Sequence, residues 1–102
     1  MVKPLQASRR LDETGRTEII LLTEPRSEQC DRAKEILHYL SAEFELSVTE
    51  VPLVSDEGRS LAIEHAILTA PGLLVDGVLF SYGKVDENRL RMTLASIRPI
   101  GG

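Results

Sequence analysis

The chain has 102 residues, of which 42% are hydrophobic and 27% charged, and a net charge of -4 at pH 7. That length fits one domain with a core of its own, since domains peak near ~100 to 150 residues, and no apolar run approaches the ~18 to 20 residues of a membrane span. The negative balance, the lack of a lysine or arginine stripe and an aromatic share of 4% argue against nucleic acid, which is held by clustered positive charge and stacking platforms.

One cysteine, Cys30, excludes an intramolecular disulfide and a cysteine-based zinc site. His38 and His65 lack ligand spacing with it or with each other, so neither a metal nor a cofactor is expected. Any sulfur chemistry must recruit a second thiol from a partner.

Met1 to Arg16 is polar and without periodicity, and reads as a flexible N-terminal tail. Lys3, Arg9, Arg10 and Arg16 are not followed by an apolar h-region, so a secretory signal is not indicated and a cytoplasmic protein is the expectation. The domain is expected over residues 17–98. Glu18 to Leu22 suits a buried central strand, ended by a turn at Pro25. Ser27 then caps a helix that runs to Leu40, with Glu28 and Asp31 in its first turn. Ala33, Ile36, Leu37 and Leu40 recur at three and four residue spacing and form the face that packs on the sheet. Cys30 falls in the first turn of this helix, where unpaired backbone N–H groups and the dipole favour negative charge.

Phe44 to Val51 alternates as a second strand, with a slip near Glu50, and Pro52 ends it or marks an edge. The acidic run Asp56 to Ser60 reads as a turn, followed by a short helix over Leu61 to Ile67 that Ser55 or Ser60 caps. Leu73 to Val75 and Val78 to Tyr82, joined by Asp76-Gly77, carry the strongest short-range signal for a hairpin. Asp86 caps a last helix with Leu90, Leu94 and Ile97 on one side, and Arg98-Pro99 halts it before a tail over residues 99–102. The order is β-α-β-α-β-β-α, an α/β domain. Strands joined through helices are expected to be parallel and the hairpin antiparallel, which makes a mixed four-stranded sheet flanked by helices.

The run Thr23-Glu24-Pro25-Arg26-Ser27-Glu28-Gln29-Cys30-Asp31-Arg32-Ala33-Lys34-Glu35 resembles the Thr-x-Pro turn, C-x-x-C motif and helix start of the thioredoxin-fold superfamily, in particular its small thioredoxin-like and glutaredoxin-like members. A second landmark agrees with it. Ala70-Pro71, followed by Gly72 to Val85, is similar to the family's proline, strand, Asp-Gly turn, strand and Gly-basic-Val pattern. The resemblance covers about Thr17 to Ile97 and implies a thioredoxin-like fold, a cis bond before Pro71, and backbone groups at Ala70 that pair with an extended substrate.

One position departs from the pattern. Ser27 stands where the family has its nucleophilic cysteine, and Cys30 takes the second, resolving position. A dithiol cycle needs one thiolate to attack a disulfide and another to break the mixed disulfide that forms. A serine hydroxyl is scarcely ionised at neutral pH and forms no disulfide, so the site is a degenerate S-x-x-C. Arg26, beside it, is placed to hold a carboxylate of a thiol peptide or of a partner protein. The glutathione-binding glutaredoxins carry Gly-Gly followed by acidic residues after the last strand, whereas this chain has Ser81-Tyr82-Gly83-Lys84, which argues against glutathione. The terminal Gly101-Gly102 is shared with ubiquitin-like sulfur carriers, but their fold starts with a hairpin and the order here does not.

Two functions follow. In one, Cys30 carries out single-thiol exchange with a protein or small thiol, aligned by Ala70 and Pro71. In the other, the domain is a non-catalytic module whose groove beside Ser27, Cys30 and Pro71 holds an extended partner segment by backbone pairing.

Overall fold

Seven elements follow one another between residues 16 and 97, the part of the chain that the computed structural model describes. In chain order they are β1 (Thr17–Thr23), α1 (Glu28–Leu40), β2 (Leu46–Pro52), α2 (Asp56–His65), β3 (Gly72–Val75), β4 (Val78–Tyr82) and α3 (Glu87–Ile97). The tail expected over the first sixteen residues, Arg16 apart, and the one over residues 99–102 lie outside the described residues. The strands form one sheet in the order β2-β1-β3-β4, with β1 parallel to β2 and antiparallel to β3, and β3 antiparallel to β4.

The alternation of β1 sorts its side chains onto two faces. Ile19 and Leu21 join Leu73, Val75, the apolar stripe of α1 and Leu90 and Leu94 of α3 in the main core. Leu22 faces the other way, into a smaller cluster with Val51, Ile67 and Leu74 that α2 covers through Leu61 and Ala62. The sheet is therefore a filling between α1 and α3 on one side and α2 on the other. Among the described residues no helix is long and apolar enough to cross a membrane.

Capping follows the expected chemistry. Ser27 Oγ accepts from the Cys30 N–H at 3.1 Å, and Asp86 Oδ1 accepts from the Arg89 N–H at 3.1 Å. The hairpin turns through left-handed backbone at Asp76 (φ 50°) and Gly77 (φ 82°), the geometry a two-residue type I′ turn requires. Asp76 also ties this turn to the central strand. Its N–H donates to the Glu18 carbonyl at 2.7 Å, and its Oδ1 accepts from the Glu18 N–H at 2.8 Å.

Three expectations are corrected. The short helix starts at Asp56 rather than Leu61, because Ser55 Oγ accepts from the Gly58 N–H at 3.0 Å and sets the first turn there. Gly58, within that run, marks a close approach: a Cβ on it would overlap the Pro52 carbonyl oxygen. The helix then ends in left-handed backbone at Ala66, and Ile67 packs from outside it.

β2 starts at Leu46, not Phe44, and has only Val51 fully buried, because it is an edge strand with few neighbours on either face. Phe44 packs on the core from the preceding loop, its N–H donating to the Leu40 carbonyl at 2.8 Å. The third correction concerns direction: β3 is not parallel to β2 although a helix joins them. The link leaves β2 beside Thr23 (Leu53 N–H to Thr23 carbonyl, 2.8 Å) and returns with Gly72 opposite Leu22, so it begins and ends at one end of the sheet. Leu90 and Leu94 of α3 are buried as its apolar side, and Ile97 at the end of the helix is exposed. Of the two aromatic residues on β4, Phe80 packs against the core and Tyr82 is exposed.

Candidate functional site

The turn between β1 and α1 and the loop before β3 meet because Leu22 pairs with Gly72. One residue past Leu22 the chain leaves for Ser27 and Cys30; one residue before Gly72 stands Pro71. Arg26, Ser27, Cys30, Ala70 and Pro71 are thus brought to one end of the sheet. The Ala70-Pro71 bond is cis, as the resemblance implies, and Pro71 is fully buried. Its carbonyl accepts from the Gly83 N–H at 2.8 Å, which draws the segment between β4 and α3 to the same end.

Ser27 has extended backbone (φ -109°, ψ 118°), and its carbonyl accepts from the Asp31 N–H at 3.0 Å while its hydroxyl accepts from Cys30. Its side-chain oxygen therefore caps the helix. Cys30 points inward and is 1% exposed, among the core side chains of α1. The sulfur is thus shut off from solvent, although it lies only three residues from an exposed turn. Arg26 adopts left-handed backbone (φ 57°), which disfavours any residue with a Cβ, and is exposed in the turn just before Ser27. Among the described residues it makes no salt bridge.

Ala70 is 5% exposed. Its carbonyl accepts from its neighbour's Thr69 hydroxyl at 3.3 Å, and its N–H has no backbone acceptor among the described residues.

Sequence reasoning missed the other wall of the site. A cleft of about 410 Å³ lies between the first turn of α1 and the segment after β4, lined by Glu28, Gln29, Arg32, Lys84 and Val85. Glu28 and Gln29 are the two residues inside S-x-x-C; Lys84 and Val85 follow the Gly83 that bonds Pro71. The signal for the second pair lay in the Gly-basic-Val pattern, which names the residues but not the contact. The cleft carries both signs of charge, Glu28 against Arg32 and Lys84.

The histidines stand apart. His38 lines a separate cavity of about 200 Å³ with Lys34 and Glu50, and His65 faces Glu64 at 3.8 Å. No group of three or more metal-ligating side chains occurs among the described residues.

No protein-family model and no curated protein matches the sequence. The fold does match solved structures. A single-site mutant of thioredoxin from Halobacterium salinarum has a TM-score of 0.65 and 17% identity over 95% of this chain and 89% of its own. Thioredoxin O2 from Arabidopsis thaliana in the oxidized state has a TM-score of 0.63 and 14% identity over 84% of this chain and 78% of its own. An uncharacterized thioredoxin-like protein from Clostridium perfringens has a TM-score of 0.62 and 21% identity, covering 80% of this chain and 71% of its own. At such identities the likeness is one of fold, and the chain has the α/β thioredoxin-like fold.

Proposed function

We propose that this thioredoxin-like domain works by holding an extended segment of a partner protein at the S-x-x-C end of its sheet, without two-thiol chemistry. The observation that carries this reading is the pair Ser27 and Cys30: the first seat holds a hydroxyl spent on capping α1, and the second holds a buried sulfur. Binding parts remain around them. Among the described residues the Ala70 N–H lacks a backbone acceptor, Arg26 is exposed in the turn before α1, and the cleft at Glu28, Gln29 and Lys84 starts two residues on from Arg26 and one on from Gly83, whose N–H bonds the Pro71 carbonyl. A strand laid along Ala70 gains main-chain hydrogen bonds there, while Arg26 takes a carboxylate.

A second reading keeps chemistry. Its support is the likeness in fold to thioredoxins together with a cysteine in the first turn of α1. Here the Cys30 thiolate attacks a partner disulfide, one partner sulfur leaves as a thiolate, and an external thiol resolves the mixed disulfide. That path needs α1 to open at its first turn, since the sulfur is shut off in the folded chain.

The two are separated by incubating the protein with a disulfide peptide and glutathione at pH 8 and weighing the intact chain. The binding reading predicts no adduct on Cys30, and a disulfide-reduction rate equal to that of Cys30→Ala. A mixed disulfide that forms on the folded protein and is lost in Cys30→Ala would establish the exchange reading instead.

A further inference from the structure

The sheet order leaves two edges, β2 and β4, and they differ in how they are defended. β2 carries Glu50 and ends in Pro52, a charge and a missing donor of the kind that keep foreign strands off. β4 reads Val-Leu-Phe-Ser-Tyr, with no charge and no proline, and Val78 is 68% exposed; its one irregularity is a shift of register at Phe80, which falls between the Leu74–Leu79 and Leu73–Ser81 pairs. Among the described residues no backbone hydrogen bond from outside the sheet reaches β4.

Above this edge, on the α3 side, lies an apolar cavity of about 340 Å³ whose walls include Val78, Phe80, Thr93 and Ile97. Next to it the Arg89 guanidinium stands 5.2 Å from the centre of the Phe80 ring. Among the described residues Arg89 has no salt bridge; its neighbour Arg91 takes both Glu43 and Glu87. An open strand, an apolar hollow and, among the described residues, a cation without a salt bridge therefore lie side by side.

We propose that the β4 edge docks an extended segment of a partner protein bearing an apolar residue and, two positions along, a carboxylate. Side chains on one face of an added strand repeat every ~6.6 to 6.8 Å, so one that fills the hollow over Val78 puts its same-face neighbour beside Phe80, under Arg89. The charges along the edge set the polarity. Asp76 closes the hollow at the hairpin end and Lys84 follows Tyr82 at the other, so acidic residues belong toward Tyr82. Arg89 also decides against a second copy of this chain: pairing β4 with itself about Phe80 brings two guanidiniums together at the axis. The surface is separate from the S-x-x-C end and does not depend on the function proposed for it.

The test titrates isotope-labelled full-length protein with an eight-residue peptide that has valine and glutamate two positions apart in a serine-threonine background, and with its lysine-for-glutamate twin. The glutamate peptide is expected to shift the amide resonances of Val78 to Tyr82, Thr93 and Ile97 and to leave β2 unmoved. The lysine twin should bind about fivefold more weakly, the worth of one exposed ion pair, and Arg89→Glu should reverse the order of preference. Arg89 is exposed in the first turn of α3, where glutamate is favoured, so that variant folds. No shift at millimolar peptide, equal affinities in Arg89→Glu, or shifts confined to β2 would overturn the proposal. So would self-association through β4 without peptide, which assigns the edge to a second copy. Binding seen only in an Ile100→Asp chain would overturn it too, by assigning the hollow to this chain's own last residues.

Discussion

Replacing Ser27 by cysteine puts a second thiol in the empty first seat, and the structure fixes what should follow. Residues 27 and 30 are the N-cap and third residue of α1, so their side chains are neighbours across one turn. The reduced variant loses the Oγ acceptor of the Cys30 N–H and with it about 1 kcal/mol of helix stability. Oxidation then closes a four-residue loop, for which the chain-entropy relation gives about 2 kcal/mol. The oxidised form of Ser27→Cys should therefore be about 2 kcal/mol more stable than the reduced form and about 1 kcal/mol more stable than the parent. In a domain of this size that is a reductant-dependent change in melting temperature of about 10 °C. The assay pairs thermal melts with and without dithiothreitol with insulin reduction driven by dithiothreitol. The variant should melt in two redox-dependent positions and accelerate insulin reduction, while the parent does neither. A folded variant whose melt ignores the reductant and which leaves insulin untouched would refute the placement of Ser27 and Cys30 as the two seats of a thioredoxin-type site.

Two further outcomes follow from the scaffold. Asp76→Ala removes the carboxylate that accepts the Glu18 N–H and puts alanine at φ 50°, at a cost of about 2 kcal/mol; a urea midpoint within error of the parent would contradict that reading. The bond of Arg91 to Glu43, with Nε and Nη2 donating to Oε1 at 3.0 and 2.8 Å, is the main cause that holds the Glu43 carboxyl below the usual glutamate range. A lowered folded-state pKa gives a contribution that is full above the unfolded value and lost as pH falls through the folded one. The stability gap between parent and Glu43→Gln should accordingly be widest at neutral pH and close in acid, in urea titrations across the carboxylate range; a gap that widens in acid would reverse the assignment.

What the sequence made legible was whatever depends on near neighbours. Asp76-Gly77 announces its hairpin because only a few residues accept left-handed backbone at both turn positions, and Ser27 and Asp86 announce caps because their oxygens serve N–H groups three residues on. The run Asp56 to Ser60 misled for the same local reason: its composition is that of a turn until the Pro52 carbonyl that Gly58 must admit is in view. The direction of β3 was hidden in a pairing between Leu22 and Gly72, fifty residues apart in the chain. The second wall of the site, Lys84 and Val85, depends on the bond from Gly83 to Pro71. Likewise the hollow beside β4 exists only because α3 lays Thr93 and Ile97 against the hairpin. The S-x-x-C pattern was plain in the sequence, but whether its sulfur faces solvent is settled by the packing of α1 on the sheet.

The proposed binding role requires that Cys30 be no working thiol in the folded state, and its alkylation rate reads this directly. With the sulfur 1% exposed, iodoacetamide must wait for α1 to open. The rate in native buffer should be at least about a hundredfold below that in urea at the same pH, the factor for an opening cost near 3 kcal/mol. Native and unfolded rates within about threefold of each other would mean an accessible thiol, and would contradict the account.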